Sequence, residues 1–278
     1  MSFTTHTINS IDGAKIGYRQ IGHGPGLIIC HGAGRISQNY EKLALALAAN
    51  YTVYIPDRRG RGLRDEEGLN YNLQLAATDL NAVIKATGAE LLFGHSAGGL
   101  IALQVQLTHS LIKIALYEPP VSINQSIPLN WLQDFETALH KGKRKEAMAI
   151  SLKGLKAIEG IDTMPAWVVK VLINLIALLE LKKEPGTRML DLLPTLTADI
   201  KIAKQLDSNY HVFSDISIPV LLMHGTKSPA YFHYGINELA KILQTTETKV
   251  FEGFDHYSPE QKVAEISNEL NRFFSTEA

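Results

Sequence analysis

Six short apolar runs punctuate the chain: LIIC at 27–30, TVYIP at 52–56, ELLF at 90–93, IKIALY at 112–117, PVLLM at 219–223 and KVF at 249–251. Runs this short and this uniformly apolar suit strands covered on both faces, the condition of a parallel sheet. Between them lie helix-like segments, YEKLALALAAN, LQLAATDLNAVIKATG and GLIALQVQLTH. The alternation predicts an α/β protein, a mostly parallel sheet with helices on both faces. Ahead of the first run, THTINSIDGAKIGYRQIG alternates around Asp12-Gly13, which predicts an antiparallel hairpin. After the last, SPEQKVAEISNELNRFF sets Val263, Ile266, Leu270 and Phe273 on one helical face, with Ser258 placed to cap and Pro259 in the first turn.

One interval breaks the alternation. From Val121 to about Val212 no strand pattern occurs, only helical segments such as NWLQDFETALHKGKRKEAMAISLKGL. The expected organisation is therefore an α/β core of residues 1–120 and 212–278, with a helical cap, 121–211, inserted between the sixth and seventh sheet strands. Such a cap would lie over the carboxyl ends of the strands, where sites in these sheets are found. Its most apolar part, MPAWVVKVLINLIALLELKK at 164–183, is interrupted by Lys170, Asn174 and Glu180. It falls short of the roughly 20 apolar residues of a membrane span, so no stable span is expected. A buried or cleft-facing helix is the reading, with an interfacial lid touching lipid or an acyl chain as the alternative.

Lys plus Arg number 27 against 28 Asp plus Glu, and 45% of the 278 residues are hydrophobic. That balance supports one large core and gives no overall field suited to nucleic acid, so a small-molecule substrate is expected and no nucleic acid. The single cysteine, Cys30 in GLIICHG, excludes an intrachain disulfide and reads as a small buried hydrophobe. MSFTTHTINS at the N-terminus lacks the apolar run of a secretory signal, so a cytoplasmic protein is expected. Oligomeric state leaves no mark on the sequence.

The run ELLF leads directly into GHSAGG, residues 94–99. A serine on a very sharp strand-to-helix turn needs small residues two positions to either side, so that strand and helix can approach; Gly94 and Gly98 supply them. The same turn aims the Ala97 amide and the positive end of the helix at any oxyanion formed in front of Ser96. A general base must come from elsewhere in the chain. Of ten histidines, His256 in KVFEGFDHYSPEQ is favoured, since it follows the last strand on a loop at the carboxyl end of the sheet. His224, at the end of PVLLMHG, is a weaker choice, and His95 should turn away from its neighbour's hydroxyl and hydrogen-bond locally.

HGAG at 31–34, DRRGRG at 57–62, GHSAGG at 94–99 and GFDH at 253–256 stand in the order and strand positions of the α/β-hydrolase family, which the chain resembles nearly throughout outside the cap. The resemblance implies that Ala33 donates a second amide to the oxyanion beside Ala97. Loss of one such donor is worth about 3 kcal/mol of barrier. His31 is then structural rather than a proton carrier. DRRGRG reads as a loop beside the site, shaped by its glycines and carrying solvated or locally paired guanidiniums rather than a phosphate-binding turn. One departure from the family pattern stands out. The carboxylate usual after the strand PVLLMHG is absent, and TKSPAYF places Ser228 there. Some relatives carry the acid after the preceding strand, which points to Glu118 in ALYEPPV; otherwise Asp255, Ser228 or a backbone carbonyl orients His256, or the triad is incomplete.

The resemblance implies a serine hydrolase of small or medium carboxylic esters, working through an acyl-enzyme without cofactor or metal. Ser96 attacks, His256 carries the proton, and Glu118 orients it. Serine at this turn argues against dehalogenase and epoxide hydrolase chemistry. C–C hydrolysis, perhydrolysis, acyl transfer and a non-catalytic ligand sensor share the same residues. A dinucleotide site on Gly32, Gly34 and Asp57 is a remote alternative, weakened by Ser37 at the third glycine position. Trp131, Trp167 and the apolar cap helix suggest a hydrophobic acyl or alcohol pocket, or simply cap core.

Overall fold

The computed structural model describes residues 1–62, 71–156, 158–184 and 186–275. The predicted hairpin is present as β1 (Thr4–Asn9) and β2 (Lys15–Gly22), paired antiparallel. Then come β3 (Gly26–Cys30), α1 (Glu41–Leu47), β4 (Thr52–Pro56), α2 (Leu73–Thr87), β5 (Leu91–His95), α3 (Ala97–Gln106) and β6 (Lys113–Tyr117). Four helices follow, α4 (Leu132–His140), α5 (Arg144–Leu155), α6 (Ala166–Leu179) and α7 (Met189–Gln205). The chain returns to the sheet as β7 (Val220–Gly225), α8 (Ala230–Ile242) and β8 (Thr246–Phe251), and ends with α9 (Ser258–Gln261) and α10 (Val263–Ser275).

The eight strands form one sheet in the order β1-β2-β4-β3-β5-β6-β7-β8, parallel from β4 onward across the sheet. Alternation along each central strand explains the unbroken apolar runs. Leu27 and Ile29 of β3 pack with α1 and α10, whereas Ile28 and Cys30 pack with α2, α3 and α8. Each strand thus feeds two cores at once, which is why no polar face appears in the sequence.

Between β6 and β7 the described residues hold helices and no strand. These helices enclose a third apolar cluster, with Trp131, Phe135, Met148, Val169, Ile173, Leu193 and Leu196 among its members. The long helical segment read at 130–155 is two helices, broken at Lys141-Gly142-Lys143. The terminal helix is also divided: Ser258 is its first residue rather than its cap, and Lys262 interrupts it.

Two expectations are corrected here. Helix α6 is not buried; only Val169 and Ile173 are enclosed, while Trp167 stands 70% exposed. The arginines of DRRGRG are not solvated either. Arg58, Arg59 and Arg61 are all buried, each held by carboxylates. Asp199 of α7 takes Arg58 at 2.6 Å and Arg61 at 2.7 Å, and Asp79 of α2 takes Arg59 at 2.6 Å. Low-dielectric surroundings make an unpaired buried guanidinium far costlier than a paired one. The loop after β4 is therefore a clamp on the insertion, which no local sequence signal could show because Asp199 lies 141 residues from Arg58.

Candidate active site

The turn from β5 into α3 holds Ser96 at φ 52°, ψ −125°, a backbone conformation that side-chain-bearing residues rarely adopt. Space for it comes from the flanking glycines. A β carbon on Gly94 would lie 2.7 Å from the Gly99 α carbon, and one on Gly98 only 2.2 Å from the Cys30 carbonyl oxygen. Helix α3 begins at Ala97, whose amide is one of the N–H groups that a helix cannot satisfy internally. Gly32, at the start of the loop leaving β3, stands close enough that a β carbon there would lie 3.1 Å from Ser96 Cβ, and Ala33 lines the same mouth.

His256, on the loop from β8 to α9, sets Nε2 3.1 Å from Ser96 Oγ and Nδ1 2.7 Å from Glu118 Oε2. Glu118 leaves the end of β6 at φ 49° and is fully buried. Its second oxygen accepts the Gly225 amide at 2.8 Å, so the carboxylate is fixed from both sides. Phe232 stacks on the imidazole at 4.3 Å and fixes the plane of the ring. The structure thus brings Ser96, His256 and Glu118 into one hydrogen-bonded file. The other candidates lie elsewhere: Asp255 binds the Tyr257 amide and the Ser258 hydroxyl, and His224 packs against His233. Ser228 Oγ is buried without a partner among the described residues.

Tyr40, unread in the sequence, and His95 connect the two sides of this file. The Gly32 amide donates to the Tyr40 hydroxyl at 3.2 Å, and Tyr40 is hydrogen-bonded to His95 Nδ1. His95 Nε2 meets the His256 carbonyl at 2.8 Å. A backbone amide can only donate and a carbonyl can only accept, so the directions are determined: Tyr40 donates to a bare Nδ1, and the proton of His95 sits on Nε2. Burial, followed by the charges of His256 and Arg35, pushes the His95 imidazole well below its usual value, which keeps it neutral as the chain requires. His95 does turn from Ser96, but its partners are remote in sequence rather than local. His31 is structural as expected, donating toward the Gly32 carbonyl and accepting the Arg58 amide.

A cavity of about 130 Å³ opens in front of Ser96. Helices α5 and α7 roof it with Met148, Leu152, Leu155, Met189, Leu193 and Leu196. Neither tryptophan borders it: Trp131 packs on Phe135 inside the insertion and Trp167 faces outward. Arg35 reaches the rim, already paired with Glu260 at 2.6 Å. Burial pushes the Cys30 thiol up to about 11, which leaves it unreactive at neutral pH. Asp57, the acid of the dinucleotide alternative, is buried and accepts the Ser37 amide at 2.6 Å. Among the described residues no group of three His, Cys, Asp or Glu side chains could hold a metal ion.

A model of the alpha/beta hydrolase family matches residues 27–266. The chain belongs to that family. Within the alpha/beta hydrolases it is 25% identical over 262 residues, 90% of this chain and 89% of the relative, to 2-(acetamidomethylene)succinate hydrolase of Mesorhizobium japonicum. An alpha/beta hydrolase from Sphaerobacter thermophilus superposes with a TM-score of 0.78 at 26% identity, covering 97% of this chain and all of that one. An esterase from Exiguobacterium antarcticum shares the fold at a TM-score of 0.72 and 21% identity, over 97% of this chain and 99% of its own. The protein is accordingly a hydrolase of this family, acting on a small molecule.

Proposed function

We propose that the protein is a serine hydrolase cleaving a small or medium carboxylic ester through an acyl-enzyme. The observation that carries this reading is the file Ser96–His256–Glu118, with distances of 3.1 and 2.7 Å. With its proton on Nδ1, hydrogen-bonded to Glu118, His256 offers a bare Nε2 to the Ser96 hydroxyl. As Oγ attacks the ester carbonyl, Nε2 takes the proton and the carbonyl oxygen becomes an oxyanion facing the amides of Ala33 and Ala97. Collapse expels the alcohol, which leaves with that proton. Water then repeats the sequence on the acyl-enzyme and releases the acid. In this reading residues 121–211 act as a cap and residues 1–120 with 212–278 as the catalytic core.

The apolar roof supports an uncharged acyl or alcohol group. A dicarboxylate such as a succinate would need a free cation, and the guanidinium at the rim, Arg35, is neutralised by Glu260. The test is a series of p-nitrophenyl esters from acetate to octanoate. Turnover should fall by roughly 10³-fold or more in Ser96→Ala and His256→Ala, and by roughly 10²- to 10⁴-fold in Glu118→Gln. Turnover retained in Ser96→Ala would refute the reading; retention in Glu118→Gln alone would remove only the acid.

A further inference from the structure

Helix α6 is apolar on two sides, where a surface helix is ordinarily apolar on one. Val169 and Ile173 are buried in the insertion's own cluster. On the outer side Trp167, Val171, Leu175, Leu178 and Leu179 are exposed, the last by 71%. At about 100° per residue these five positions fall within a sector of roughly 120°, opposite Val169 and Ile173. Leu181, in the short turn that follows, extends the patch. A continuous apolar face of this kind marks a surface that meets something else.

The surroundings of the patch indicate what. Residues 141–191 carry ten Lys or Arg and six Asp or Glu, a net of +4, in a chain whose total is −1. Lys170 borders the apolar sector on α6 and Lys182 stands in the turn that follows the helix, both exposed and without an acidic partner among the described residues, and Lys145 reaches Asn174 of α6 at 2.6 Å. An isologous pairing of two copies through α6 would set these same lysines toward one another. No helix of the described residues is long and apolar enough to cross a membrane. We propose that α6 is an interfacial helix, seating its outer face on an anionic lipid surface. Trp167 and the leucines would enter the acyl boundary while Lys170 and Lys182 reach the phosphates. Helix α5, packed beneath α6, lines the cavity with Met148 and Leu152, so an apolar solute dissolved in that lipid would meet the cavity wall nearby. The proposal does not depend on the chemistry at Ser96.

The protein carries its own reporter. It has two tryptophans, of which Trp131 is 7% exposed and Trp167 70%, so a change of emission on lipid binding reports α6. The whole chain would be titrated with vesicles of phosphatidylcholine alone and of phosphatidylcholine with phosphatidylglycerol. A blue shift is expected, with binding to the anionic vesicles about tenfold tighter or more and weakened by high salt. Leu175→Glu with Leu178→Glu should abolish it without lowering the melting temperature, since both side chains face solvent. Lys170→Glu with Lys182→Glu should remove the preference for anionic lipid. Absence of a blue shift with either vesicle, equal binding to both, or indifference to the lysine changes would overturn the proposal. So would a dimer in sedimentation that Leu175→Glu dissociates, because the face would then belong to a second copy.

Discussion

A serine hydroxyl at neutral pH is a weak nucleophile, and in the proposed mechanism what Ser96 gains it gains from position. Two side-chain-bearing residues of the site, Ser96 and Glu118, occupy positive φ, so the backbone is strained where the proposed chemistry lies, as it also is at Asn124, Gln125, Lys156 and Ser208. Tyr40 and His95 act on the site indirectly, as positioning residues between the Gly32 loop and the His256 loop. Tyr40→Phe leaves the buried Gly32 amide without its acceptor, a loss of about 1–3 kcal/mol in stability. Steady-state kinetics on a p-nitrophenyl ester should show kcat reduced about tenfold with KM little changed, because the substrate wall is untouched. For His95 the sign follows from burial. The folded imidazole stays neutral while the unfolded one takes a proton below about pH 6.5, so stability is complete above that value and declines as pH falls. His95→Gln should flatten the change in melting temperature between pH 7 and 5. The glycine spacing around Ser96 was legible because it is local. Glu118 was reachable only through the resemblance: Ser228 occupies the position where most relatives carry the acid, and some relatives carry it after the preceding strand instead. Tyr40, 55 residues from His95, left no such trace.

At the level of elements, every run read as a strand is one, because two-sided burial writes an apolar pattern along the central strands; KVF of the edge strand β8 is a strand too, although only Phe251 of it is buried. Helix α6 misled for the same reason: apolarity signals contact with something, and the sequence does not say whether that is the protein's own core. The arginine loop misled in the opposite direction, since charge suggests solvent until a partner such as Asp199 is known. Burial alone would raise the Asp199 carboxyl, but the charges of Arg58 and Arg61 outweigh it and hold the group below the ordinary carboxylate value. Its contribution to stability is therefore present above about pH 4 and is lost as pH falls through the lowered folded value. Asp199→Asn removes the carboxylate shared by two buried guanidiniums and should cost about 3–5 kcal/mol, measured by urea unfolding at pH 7. The variant should also lose less further stability than wild type between pH 5 and 3.

Over the whole molecule, the site draws on the ends of β3, β5 and β6, the loop after β8 and the amide of Gly225, so no fragment of the chain contains it. The insertion has its own apolar cluster, yet Asp199 ties it to the sheet through the loop after β4. Both tryptophans lie in the insertion, whereas far-ultraviolet dichroism reports every element. In wild type the two signals should give one urea midpoint; in Asp199→Asn the tryptophan transition should come first.

The most direct measurement is the rate at which a fluorophosphonate labels the protein, with the modified peptide located by mass spectrometry. One adduct is expected, on Ser96, formed rapidly in wild type and slowed by roughly 10²-fold or more in His256→Ala. An unlabelled Ser96, or one labelled equally fast without His256, would contradict the proposed mechanism.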